Sequence, residues 1–224
     1  MLYIPFSEFV WGICVSLRDE KQARLRGLIL DTAVTLFRAR GFEAVPVREI
    51  ARECAISEAT FFNYFTNKEA LLREWAWLGF EAAGQHPEAA PLRHTVRRWT
   101  IELARQAESD REMMTKAWGR VRSQEAGGEL APARGRRGGA PAGAALSKAA
   151  QDRGEVRTDV SAEQLAQVLR SALAGALADG LMRGDAGGPG PLGKRLAGTA
   201  NLVLDGFRKR NERVSAPAAR GASS

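Results

Sequence analysis

The sequence predicts an all-α chain: an N-terminal three-helix unit that contains a helix-turn-helix, followed by a C-terminal helical bundle. Three observations carry the fold class. Apolar residues recur at helical spacing through most of the 224 residues, strand-like β-branched runs are almost missing, and aromatics make up only 7%. At this length the chain holds one or two domains with a substantial core.

The first helix is predicted from a stripe of Leu25, Leu28, Ile29, Thr32, Ala33, Leu36 and Phe37, closed by Arg40-Gly41 as a C-terminal stop. Val47–Lys68, VREIARECAISEATFFNYFTNK, then reads as two short helices and a tight turn. Val47, Ile50 and Ala51 share one apolar face, with Arg48, Glu49, Arg52 and Glu53 outward. Cys54-Ala55-Ile56-Ser57 is too short to have structure of its own, and Ser57 is a strong N-cap. The second helix runs from about Glu58 to Tyr64, with Phe61 and Phe65 on its buried side. Ala55 and Ala59 are small enough for the two helices to approach closely. This is the shape of a helix-turn-helix, whose second helix lies in the DNA major groove.

Asn67 caps a helix opening Lys68-Glu69-Ala70-Leu71-Leu72, which continues through Trp75, Trp77, Leu78 and Phe80 to about Gly84. His86-Pro87 to Pro91 is a connection. Helices follow from about Leu92 to Ser109, with Val96, Trp99, Leu103 and Ala107, and then over Met113, Met114, Ala117, Trp118 and Val121. These tryptophans and methionines read first as simple core; the family resemblance given below implies instead the wall of a ligand cavity, for which Trp99, Leu103, Met114 and Trp118 are the candidates. Gly127–Gly143 carries too much glycine and proline for helix and reads as a mobile loop, with Arg134, Arg136 and Arg137 a solvated charge run.

Helix resumes over Ala144–Arg153 and breaks at Gly154. Ser161 and Gln164 form a capping box that opens Ala162–Met182, where Ala172, Gly175 and Ala176 permit close helix approach. Gly184–Pro191 breaks the chain before a final helix, Leu192–Lys209. Leu169, Ala172, Leu173, Ala176, Leu196, Ala200, Val203 and Phe207 on these last two helices are the expected dimer interface. Five leucine-sized side chains at roughly 1.5–3 kcal/mol each would contribute near 10 kcal/mol before association costs. The alternative is that both helices merely cover the protein's own core.

The net charge of +7 invites a nucleic-acid reading, but residues 19–70 hold eight basic and eight acidic side chains, and the basic excess lies mostly elsewhere. Cys14 and Cys54 are the only cysteines, in unrelated segments, so a structural disulfide is not expected and a reducing cytoplasm is. No stretch approaches the ~18 apolar residues of a membrane span, so no membrane partner is expected. Residues 1–18 lack the basic start and cleavage site of a signal peptide and read as a disordered leader or a start assigned too early. The expected organisation is a leader over 1–20, the DNA-binding domain over 21–70, the effector and dimerisation domain over 71–211, and a disordered tail over 212–224.

Over Arg24–Leu72 the chain resembles the N-terminal domain of the TetR family of transcriptional regulators. The matches fall at fixed offsets: Leu36-Phe37, Gly41-Phe42, Ile50-Ala51, Ile56-Ser57, Thr60, Phe65, Lys68-Glu69 and Leu71. The resemblance implies that Glu58, Ala59, Thr60 and Asn63 face base edges, and that Arg48, Tyr64 and Lys68 hold phosphates, with Ser57 and Phe62 completing the DNA-binding surface. Thr60 and Asn63 can donate and accept, and Glu58 can accept from a cytosine amino group. It also implies a double-stranded palindromic operator, a homodimer, and release by a small apolar or aromatic effector, with no cofactor. Three residues depart from the family pattern. Phe62 stands where a tyrosine is usual, Pro46 replaces a capping threonine, and Glu58 sets a negative charge beside DNA. They motivate a competing reading, a helical ligand- or protein-binding module with degraded DNA recognition.

An enzyme is not expected. His86 and His94 do not share a helical face, and the chain has no phosphate-binding glycine loop, no HExxH and no CxxC, so catalytic and metal sites are both read as none.

Overall fold

A computed structural model describes residues 17–84, 90–124, 143–183 and 189–208. Among these, every regular element is a helix: α1 (Leu17–Arg40), α2 (Val47–Glu53), α3 (Glu58–Tyr64), α4 (Lys68–Ala83), α5 (Leu92–Ser109), α6 (Arg111–Gln124), α7 (Ala144–Asp152), α8 (Ala162–Met182) and α9 (Pro189–Gly206). None is long and apolar enough to cross a membrane. The expected leader over 1–20 is cut short, because α1 already begins at Leu17; its first sixteen residues, the 127–142 stretch and the tail lie outside the described residues.

The caps explain most boundaries. Gly41 ends α1 with φ +85, its N–H bonding Phe37 O at 2.8 Å. Ser57 and Asn67 accept from Thr60 N and Ala70 N, and the Ser161–Gln164 capping box is complete. Pro46 sits at the N-cap of α2 and supplies no side-chain bond. Helix α5 lacks a cap of its own, and Glu155 from beyond α7 replaces it by accepting from Leu92 N at 2.7 Å. Burial pushes the Glu155 carboxyl up, but Arg153 and the Leu92 N–H outweigh it and hold the group below its ordinary value.

Three expectations are corrected here. In α1 the inward stripe is rotated: Leu28 is half exposed, and Leu30 and Val34 are buried beside Ile29, Ala33 and Phe37. The last helix starts earlier, at Pro189, because prolines in a first turn forgo only N–H groups that have no helical partner. It also ends at Gly206 rather than Lys209, with Phe207 O accepting from Arg157 N at 2.9 Å. Finally, the close approach of α8 is made at Gly180, where a Cβ would meet Leu192 Cδ1 at 2.5 Å, while Gly175 has open space around it.

The turn between α2 and α3 departs in a more informative way. Ala55 and Ala59 are exposed, so neither is the contact between helices. Ala55 has φ +53, and Ile56 N bonds Ala51 O at 2.9 Å while Ala55 N bonds Arg52 O at 3.0 Å. This is a Schellman closure with alanine where glycine is usual, and a Cβ there is strained. Ala55→Gly should stabilise the protein by about 0.5–1 kcal/mol and raise Tm by roughly 2 °C in a thermal melt.

Leu169, Leu173, Leu196, Ala200 and Phe207, five of the expected interface residues, are buried inside the protomer, and Ala172, Ala176 and Val203 are partly buried. Helices α8 and α9 therefore turn these side chains onto their own core. Their outward apolar residues are others: Val168, 51% exposed, and Leu202, 77% exposed. The core itself is one cluster from Ile29 to Phe207, running without interruption through α4, so a boundary after residue 70 falls within that helix.

Candidate nucleic-acid interface

Helix α3 is held from beneath and from behind. Phe61 is fully buried, edge-on to Phe62 at 5.5 Å and 5.9 Å from Phe65. At its far end Arg26 of α1 donates to Tyr64 O at 2.8 Å, lies 4.4 Å from the centre of the Phe65 ring, and pairs with Glu74 of α4 at 2.7 Å. One guanidinium thus ties the end of α3 to the helices on both sides. Sequence reasoning missed Arg26, since its partners are 38 and 48 residues away.

What remains outward is the surface the resemblance implied. Arg48, Ser57, Glu58, Ala59, Phe62 and Asn63 are exposed, and Thr60 and Tyr64 half-buried. Phe62 shows 49% of its surface. The Ser57 hydroxyl accepts from Thr60 N at 3.0 Å and lies 2.9 Å from the Thr60 hydroxyl, so it fixes that side chain as well as the helix. Glu58 occupies the first turn of α3, where a carboxylate meets the positive end of the helix dipole. That gives Glu58 a structural reason for its place, independent of any base. Cys54, under the turn, is a buried free cysteine whose thiol burial pushes up in pKa, against the Thr32 hydrogen bond.

Lys68 is less available than expected. Its side chain is 19% exposed, and its ammonium donates to Phe42 O at 2.9 Å. A phosphate would have to draw it away from that position.

In the bundle, Trp99 and Trp118 flank Phe80, whose ring lies 5.3 Å from Trp99 and 5.7 Å from Trp118, and Leu103 and Met114 are buried in the same core. Trp99 Nε1 donates to Phe80 O at 3.2 Å, whereas buried Trp118 Nε1 has no acceptor among the described residues. Next to this cluster, Arg170 lies over the Trp77 ring at 5.4 Å and pairs with Glu81 at 3.3 Å, both largely buried. An arginine inside the alanine- and leucine-rich α8 was the sequence signal for this pair. Among the described residues no group of three or more His, Cys, Asp or Glu is placed to hold a metal.

Comparison with known proteins agrees with this geometry. Residues 29–75 match the model of the bacterial regulatory proteins of the tetR family. The uncharacterized HTH-type transcriptional regulator YuxN of Bacillus subtilis is 51% identical over 45 residues, 20% of this chain and 16% of that protein. Two crystal structures share the fold over nearly the whole chain. Thermus thermophilus FadR, a TetR-family transcriptional repressor in complex with lauroyl-CoA, is 24% identical, with 88% of this chain and 100% of that chain covered and a TM-score of 0.56. TylP, a TetR regulator from Streptomyces fradiae, is 21% identical, with 85% and 90% covered and a TM-score of 0.51. Residues 29–75 thus carry the tetR-family match, and the chain as a whole shares the fold of these two TetR-family regulators.

Proposed function

We propose that the protein is a ligand-responsive transcriptional repressor that binds a palindromic operator as a homodimer. The observation that carries this is α3 itself: seven residues capped by Ser57, anchored by Phe61 and Arg26, with Glu58, Ala59, Phe62 and Asn63 outward. That face is turned to solvent among the described residues, and its chemistry suits base edges. Arg48, Tyr64 and Lys68 stand around it as phosphate contacts. Two copies would meet through the outward residues of α8 and α9, Val168 and Leu202 foremost, setting two α3 helices at half-site spacing.

The effector site would be the aromatic cluster around Trp118. The Thermus FadR structure holds lauroyl-CoA, so a bundle of this fold admits a small molecule. Here the buried Trp118 N–H, with no acceptor among the described residues, favours an apolar or aromatic effector that carries a hydrogen-bond acceptor. Such a ligand would release DNA only to the extent that it prefers one spacing of the α3 pair over another. The exposed Glu58 and the hydroxyl-free Phe62 support the second reading, a helical binding module with degraded DNA recognition.

A mobility-shift assay on DNA flanking the protein's own gene separates the two. The repressor should shift it, with affinity falling steeply as salt rises. Asn63→Ala should weaken binding by about 5- to 100-fold, the range of a lost base contact. No shift at low salt would sink the repressor reading.

A further inference from the structure

Two lysines from different parts of the fold converge on one carboxylate. Lys68, at the start of α4, lies 3.8 Å from Glu43 Oε2 and 4.4 Å from the centre of the Phe42 ring. Lys116, from α6 in the bundle, donates to Glu43 Oε1 at 2.8 Å and stands 5.2 Å from the same ring. Glu43 lies in the turn between α1 and α2 and is 75% exposed, so its carboxylate hangs between the reading head and the bundle. The hydrogen bond that Lys116 donates to Glu43 is the first cause that holds its ammonium above the ordinary lysine value; Glu112, 3.3 Å away, adds to it. Beside this group a cleft of about 240 Å³, walled by Leu72, Arg73, Thr115 and Met182, leaves the carboxylate room to turn.

A carboxylate shared by two cations divides its attraction between them. The more firmly Lys116 holds Glu43, the less Glu43 holds Lys68. A DNA phosphate competes with Glu43 for that same ammonium.

We propose that Glu43 is a positioning residue for the contact of Lys68 with DNA phosphate, and that Lys116 sets how strongly it acts. The bundle then tunes the DNA affinity of the reading head through one shared carboxylate. When Lys68 turns out to a phosphate, Lys116 keeps Glu43 neutralised. The inference rests on the DNA-binding reading above and adds the residue that regulates it.

The test uses the full-length protein and the duplex it enriches from a random-sequence DNA library, with Kd measured by fluorescence anisotropy across a salt series. Glu43→Gln removes the carboxylate's pull on Lys68, leaving its hydrogen bond to Phe42 O in place, and should tighten binding by about two- to fivefold, the scale of an exposed ion pair. Lys116→Met removes the ammonium that competes with Lys68 for Glu43 and should weaken binding by a similar factor, and Lys116→Arg should restore it. Both changes also alter total charge near a polyanion, and such a field effect would simply add in the double variant. The shared carboxylate instead requires that Lys116→Met have no effect once Glu43 is glutamine, and that Glu43→Gln have none once Lys68 is alanine. Additive effects overturn the proposal while leaving the repressor reading intact. Failure of the wild type to enrich any duplex overturns both.

Discussion

Phe61→Ala should lower stability by about 3–5 kcal/mol, the typical cost of emptying a buried phenylalanine site. For a chain of this size that is a fall in Tm of roughly 10 °C or more, measured by calorimetry. Phe61 is the one side chain of α3 that is fully buried, and its ring meets those of Phe62 and Phe65. The neighbouring Phe62→Ala is the control. With half its surface already in solvent, Phe62 should change Tm little, within the range usual for surface positions, and change DNA affinity more. Equal melting behaviour of the two variants would show that α3 is not anchored through Phe61.

The second large effect belongs to the outward face of α8 and α9. Placing aspartate at both Val168 and Leu202 should halve the mass seen by sedimentation and weaken operator binding by about 100-fold or more. The second half-site would then no longer be met at high effective concentration. The folded protomer should survive, because both side chains point away from the core and are more than half exposed. A dimer that persists with both aspartates would place the interface elsewhere.

These two cases mark what could and could not be seen from residues alone. The starts of α3, α4 and α8 were legible because short-range chemistry sets them: Ser57, Asn67 and the Ser161–Gln164 box act within one turn of themselves. The buried face of α3 was legible too, since Phe61 and Phe65 recur one turn apart. Helix α8 was harder. Leu169 and Leu173 look inward and Val168 outward, and a helix apolar on both sides has no periodicity that says which side meets solvent. Arg26, Glu43 and Gly180 were missed for a different reason. Each matters through a partner distant in sequence: Glu74, Lys116 and Leu192 respectively, of which only Leu192 lies within a dozen residues. The strain at Ala55 was hidden because alanine is a common residue whose backbone angle here is not common.

The unbroken run of buried side chains through α4 has a practical consequence. A fragment ending after α3 would strip Phe37, Phe42 and Phe65 of the cover that Leu71, Leu72 and Trp75 provide, and would expose an oily patch to water. Excised helix-turn-helix fragments should therefore aggregate, and the intact chain should melt in a single calorimetric peak, with α1–α3 and the bundle losing order together.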